Sequence, residues 1–143
     1  FSSPLLCVMF VVFCIFSLYN LPNFNESEVI IMSNITLSKD ADYLICIIYK
    51  YYLELRDNGF SISEAKDFDS IDNIHGLIPQ IPLDDIYETC LELANKSLLI
   101  QKKKYIIEKY SRFSLSDDGI IYMENRFSNK IDKIIDYISK LKP

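Results

Sequence analysis

The chain has 143 residues, half of them hydrophobic and 24% charged, with a formal net charge of −5. That balance belongs to a globular domain, excludes a disordered chain, and counts against nonspecific nucleic-acid binding. The only glycines are Gly59, Gly76 and Gly119, which excludes a phosphate loop or dinucleotide fingerprint, and one histidine with four dispersed cysteines excludes an assembled zinc pattern.

Residues 1–31 read as an apolar leader. The run LLCVMFVVFCIFSLY (Leu5–Tyr19) is broken only by Ser17. It is short for a bilayer-spanning helix, which needs about 20 residues. A signal peptide also wants a positive flank and a small-residue cleavage site, yet no Lys, Arg or His precedes Lys39. The codons of Glu28-Val29-Ile30-Ile31, just before Met32, can supply a ribosome-binding sequence and spacer. The expectation is therefore that 1–31 is translated upstream DNA, with a signal or membrane anchor as the alternative. A membrane partner is expected only if the leader is native, and otherwise the protein is cytoplasmic.

Asp40–Asp57 places Leu44, Ile48, Tyr51 and Leu55 on a dense apolar face, with Tyr43, Ile47 and Lys50 along a second line. Spacings of three and four predict a helix with a broad buried side, ended by Asn58-Gly59. Ser61-Ile62-Ser63-Glu64 has the form of a capping box and predicts a short helix through about Phe68. Asp69–Pro82 is turn-rich, with one helical turn at Ser70–Ile74 and His75 in the connection.

Pro82 then suits the start of a helix, and Asp84 and Asp85 suit its positive end. This helix runs to about Lys96, turning Leu83, Ile86, Cys90, Leu93 and Ala94 inward. Asp85, Glu88, Glu92 and Asn95 point away. Cys46 and Cys90 read as reduced thiols buried on helix faces.

The stretch SLLIQKKKYIIEKYSRFSL is rich in β-favouring residues interrupted by charge. It predicts a hairpin with strands near Leu98–Lys102 and Tyr110–Leu115, its lysines on an exposed edge where they also discourage aggregation. Ser116 caps a further helix, with Asp117 and Asp118 in its first turn and Ile120, Ile121, Met123 and Phe127 as its face. The last segment aligns Ile131, Ile134, Ile135, Ile138 and Leu141 on one stripe. That stripe either docks on its own domain or pairs two copies as a homodimer.

The expected fold is mainly α with a small β-hairpin, in the order of a winged helix-turn-helix (32–127) plus an amphipathic C-terminal helix (128–143). Leu91-Glu92-Leu93 followed by SLLI, the hairpin, and SLSDDGIIYMENRF with its Ser-x-x-Gly helix start resembles the small bacterial winged-helix proteins of the YjcQ type. More loosely, it is similar to MarR-like winged-helix domains. The similarity spans roughly Lys39 to Leu141 and implies architecture more than mechanism.

In such a fold Leu83–Lys96 would be the helix offered to a DNA major groove. Its outward residues Asp84, Asp85, Glu88 and Glu92 suit a basic protein partner better than phosphates. Lys102, Lys103, Lys104, Lys109 and Arg112, on or beside the wing, suit double-stranded DNA. Two functions follow: a DNA-associated transcriptional regulator that grips through a basic wing, or a protein-interaction module with an acidic helix face and no nucleic-acid binding. No catalytic constellation is present, so no enzymatic activity, cofactor or metal is expected.

Overall fold

In the computed structural model, which describes residues 34–102 and 111–141, the first helix starts at a serine cap. The Ser38 hydroxyl accepts the Ala41 N–H at 3.2 Å, and the chain coils from Lys39 to Asp57 (α1). Asp40 and Asp42 sit in its first turn and Arg56 in its last, each at the favourable end of the helix dipole. Gly59, at φ 89°, supplies the left-handed residue that closes the helix, while the Phe60 N–H bonds back to the Leu55 carbonyl at 3.1 Å.

The capping box forms as the sequence predicts. Ser61 accepts from the Glu64 N–H at 3.2 Å, and Glu64 accepts from the Ser61 N–H at 2.9 Å. The helix it starts (α2) spans Ile62–Lys66 and stops short of Phe68. Asp67–Ser70 forms a strand (β1) that periodicity does not announce. Next, Ile71–Leu77 (α3) is longer than one helical turn and carries His75 in its last turn, not in a loop. Leu83–Asn95 forms α4, Leu99–Lys102 β2, Arg112–Leu115 β3, Asp117–Phe127 α5 and Ile131–Leu141 α6.

The expected hairpin is thus part of a three-stranded antiparallel sheet ordered β1-β3-β2. Leu99 faces Leu115 and Lys102 faces Arg112 across one pair, and Asp67 faces Ser114 across the other. The leader, Lys103, Lys104, Lys109 and the hairpin turn lie outside the described residues. Among the described residues no helix is long and apolar enough to cross a membrane.

Burial explains the arrangement. α1 contacts α2, α4, α5 and α6, so eight of its residues are buried, including Ile45, Cys46 and Tyr49 outside the predicted lines. The other core side chains include Ile71 and Ile74 of α3, Ile86, Cys90 and Leu93 of α4, and Phe68, Leu99, Phe113 and Leu115 of the sheet. Each large one is worth roughly 1.5–3 kcal/mol when fully buried. On α5, Ile120, Met123 and Phe127 turn inward, but Ile121 is exposed, because a one-residue step rotates about 100° around a helix.

A tight junction joins α4, β2 and α5. The chain leaves α4 through left-handed Ser97, and the Leu98 N–H bonds back to the Leu93 carbonyl at 3.0 Å. Ser116 donates to the Ser97 carbonyl at 2.6 Å and accepts the Gly119 N–H at 2.8 Å. One hydroxyl therefore caps α5 and pins it to the end of α4.

Candidate functional site

α4 buries Ile86, Cys90 and Leu93, which recur at intervals of four and three along one side. The opposite side is acidic. Asp84, Asp85 and Glu88 are exposed, and the sole cation of the segment is the C-cap residue Lys96.

Glu92, one turn on from Glu88 along the same side, is already engaged. Its carboxylate accepts the Ser38 hydroxyl at 2.7 Å and the Ser38 N–H at 2.9 Å, tying α4 to the first turn of α1. These two bonds, the hydroxyl's first, hold its pKa below the usual carboxylate range. Ser38 lies 54 residues away in sequence, so spacing within α4 carried no sign of this partner.

Between α1 and α4 runs a groove. A cleft of about 220 Å³ has Leu44, Ile81 and Ile86 on its apolar walls and Asp40 and Asp85 on its rim. A shallower depression adjoins it, containing Glu88 and Leu91 and sharing Asp40 and Thr89. The acidic face thus borders a groove that is apolar at Leu44, Ile81 and Ile86 and polar along Glu88, Thr89 and Glu92.

The basic residues divide. Lys102 is exposed at the end of β2, an edge strand. Arg112 lies on the central strand β3 and is engaged by carboxylates of β1. Its Nη2 is 3.2 Å from an Asp67 oxygen, and its Nε is 2.8 Å from an Asp69 oxygen. A guanidinium flanked by two carboxylates has part of its charge already matched, which leaves less of it to offer a phosphate. Both partners lie on β1, which no sequence signal announces, so the engagement of Arg112 was hidden with it.

The C-terminal stripe meets its own domain. Ile134 is fully buried where α6 packs on α1, and Ile131, Ile138 and Leu141 are half-buried. Ile135 is exposed, because Tyr137 takes an inward place and donates to Asp42 at 2.6 Å.

Cys46 and Cys90 are free and buried, and burial pushes both thiols up to about 12. That is the reverse of thiolate activation. Among the described residues no cluster of three or more His, Cys, Asp or Glu is placed to hold a metal ion. Comparison with protein-family models, curated proteins and solved structures finds no match.

Proposed function

We propose that residues 36–141 form a winged-helix domain that works as a protein-interaction module, docking a basic, amphipathic partner segment against α4. The order α1-α2-β1-α3-α4-β2-β3 with strands arranged β1-β3-β2 supports the winged-helix reading, as does the resemblance to the YjcQ type. α4 then stands where a base-reading helix would.

The observation that carries the function is the exposure of Asp85 and Glu88 on that helix, Asp85 at the partly apolar cleft and Glu88 in the depression that adjoins it. Base-reading helices present Arg, Asn, Gln or Ser. A carboxylate about 4 Å from a phosphate loses about 1 kcal/mol even in water, and more where water is displaced. A Lys or Arg in the same place gains a comparable amount.

A second reading, the DNA-associated regulator, is favoured by Lys102, exposed on the sheet edge and followed in sequence by Lys103 and Lys104. Fluorescence anisotropy separates the two. The full chain is titrated into a labelled helical Leu/Lys peptide and into a labelled mixed-sequence duplex at low salt. The module binds the peptide, loses about tenfold on Asp85→Asn with Glu88→Gln, and ignores the duplex. Salt-dependent duplex binding that strengthens in that double variant would overturn it in favour of the regulator.

A further inference from the structure

A second cleft, of about 450 Å³, opens at the other end of α1. Tyr51, Leu55, Phe60 and Phe68 line it, and Glu64 and Asp67 stand on its rim. Tyr51 and Phe68 lie with ring centroids 6.0 Å apart and planes tilted by 42°. Phe60 is 46% exposed, which is unusual for a large aromatic side chain and is not explained by the core.

The backbone of Phe60 is held on both sides. Behind it the closing turn of α1 bonds its N–H to the Leu55 carbonyl, and ahead of it the Ser61–Glu64 capping box starts α2. Arg56 donates to the Phe60 carbonyl at 2.7 Å, clamping the backbone between the two helices. With the backbone fixed on both sides, only the two side-chain torsions of the ring remain to be ordered when something packs on it.

The rim carries the opposite chemistry. Glu64 is exposed and ionised, and among the described residues it forms no ion pair. Asp67 is partly matched by Arg112. Aromatic faces beside carboxylates attract an organic cation and repel a phosphate.

We propose that this cleft binds the guanidinium or ammonium side chain of a basic polypeptide segment, packed on Phe60 and Tyr51 and paired with Glu64. The site is independent of α4: eleven residues of helix, roughly 16 Å, separate Tyr51 from Asp40.

The test is an NMR titration of the isotope-labelled full chain with the peptide acetyl-Gly-Gly-Arg-Gly-Gly-amide, and with its Glu counterpart as control. The arginine peptide shifts the amide signals of Tyr51, Phe60 and Glu64, and the Glu peptide leaves them in place. Phe60→Leu keeps apolar bulk but removes the aromatic face, and raises Kd about fivefold. Glu64→Gln keeps a side chain able to complete the capping box, and raises Kd similarly. Thermal melts confirm that both variants fold. Asp85→Asn with Glu88→Gln leaves Kd unchanged, so failure of the α4 reading and failure of this one are distinguishable. Equal shifts over every acidic surface, equal shifts with the Glu peptide, or an unchanged Kd in Phe60→Leu and Glu64→Gln would overturn the proposal.

Discussion

Asp42 and Arg126 are 84 residues apart in the chain and 2.7 Å apart in the fold. The second Asp42 oxygen accepts the Tyr137 hydroxyl at 2.6 Å, so one carboxylate joins α1 to both α5 and α6. The Arg126 guanidinium lies 5.0–5.4 Å from the ring centroids of Tyr122, Phe127 and Tyr137. Burial alone would lower its pKa, but the hydrogen bond and charge of Asp42 more than reverse this, so the arginine stays charged. The C-terminal helix is held by this bond, by Ile134, and by the turn residue Asn129, which accepts from the Tyr49 hydroxyl.

Asp42→Ala is expected to destabilise the domain by about 2–3 kcal/mol. Removing one partner of a buried pair costs about 3–5 kcal/mol. The two side chains here are 18% and 23% exposed, so solvent screens part of the loss. Asp42→Asn still accepts from Tyr137 and costs less. Urea unfolding followed by circular dichroism measures both, and Asp42→Ala combined with Tyr137→Phe should cost less than the sum of the singles.

Gly119→Ala should be as damaging, for a steric reason. A Cβ at Gly119 would meet the Leu98 carbonyl oxygen at 2.3 Å and a Leu115 methyl at 3.1 Å. The Leu98 carbonyl also accepts the Ser116 N–H, so it cannot yield without loosening the α5 cap. Overpacking of this kind costs about 1–3 kcal/mol, and the backbone contact puts this case at the upper end. The same thermal or urea melt reads it, with Gly76→Ala as a control, since nothing lies within 4 Å of a Cβ there.

Local chemistry was legible in the sequence wherever it was self-contained. Ser61 with Glu64, Pro82 with Asp84 and Asp85, and Ser116 with Gly119 each mark a helix start within a few residues, and each does so in the structure. What the sequence hid was made by distant pairing. Asp67-Phe68-Asp69-Ser70 has little strand propensity and is a strand because β3 lies beside it. The engagement of Arg112 by Asp67 and Asp69 follows from that pairing, and so was hidden too. Periodicity marked one broad buried side on α1, whereas helices pack around it on several sides, which is why Tyr49 is buried as deeply as Leu44. Of the candidate site, the acidity of α4 was visible, but the attachment of Glu92 to Ser38 was not.

The buried thiols predict an alkaline limit. Cys46 and Cys90 rise from 9.0 to about 12 through burial, with Arg126 opposing and Asp42 adding to the shift at Cys46. A group whose folded pKa lies above its unfolded value favours the fold below the unfolded pKa and loses that contribution as pH rises. Stability should therefore fall between pH 9 and about 12, and less steeply in Cys90→Ala once its own cavity cost is subtracted. In a chain with Cys7 and Cys14 replaced by serine, a thiol reagent at neutral pH should label Cys46 and Cys90 only after denaturant is added.

Glu92 separates stability from binding. Ser38→Ala removes both the α1 cap and a donor to Glu92, and should cost about 1 kcal/mol or slightly more at neutral pH. The folded pKa of Glu92 lies below its ordinary value of 4.5, so its share of stability is present above that value and lost as pH falls below it. The gap between wild type and Ser38→Ala should accordingly narrow in acid, as read from urea midpoints at neutral pH and near pH 3. Because both Glu92 oxygens are occupied by Ser38, Glu92→Gln should weaken the fold while leaving the affinity for a basic Leu/Lys peptide within about twofold. A loss as large as that of Asp85→Asn with Glu88→Gln would mean that Glu92 leaves Ser38 to meet the partner, and that the first turn of α1 moves when the partner docks.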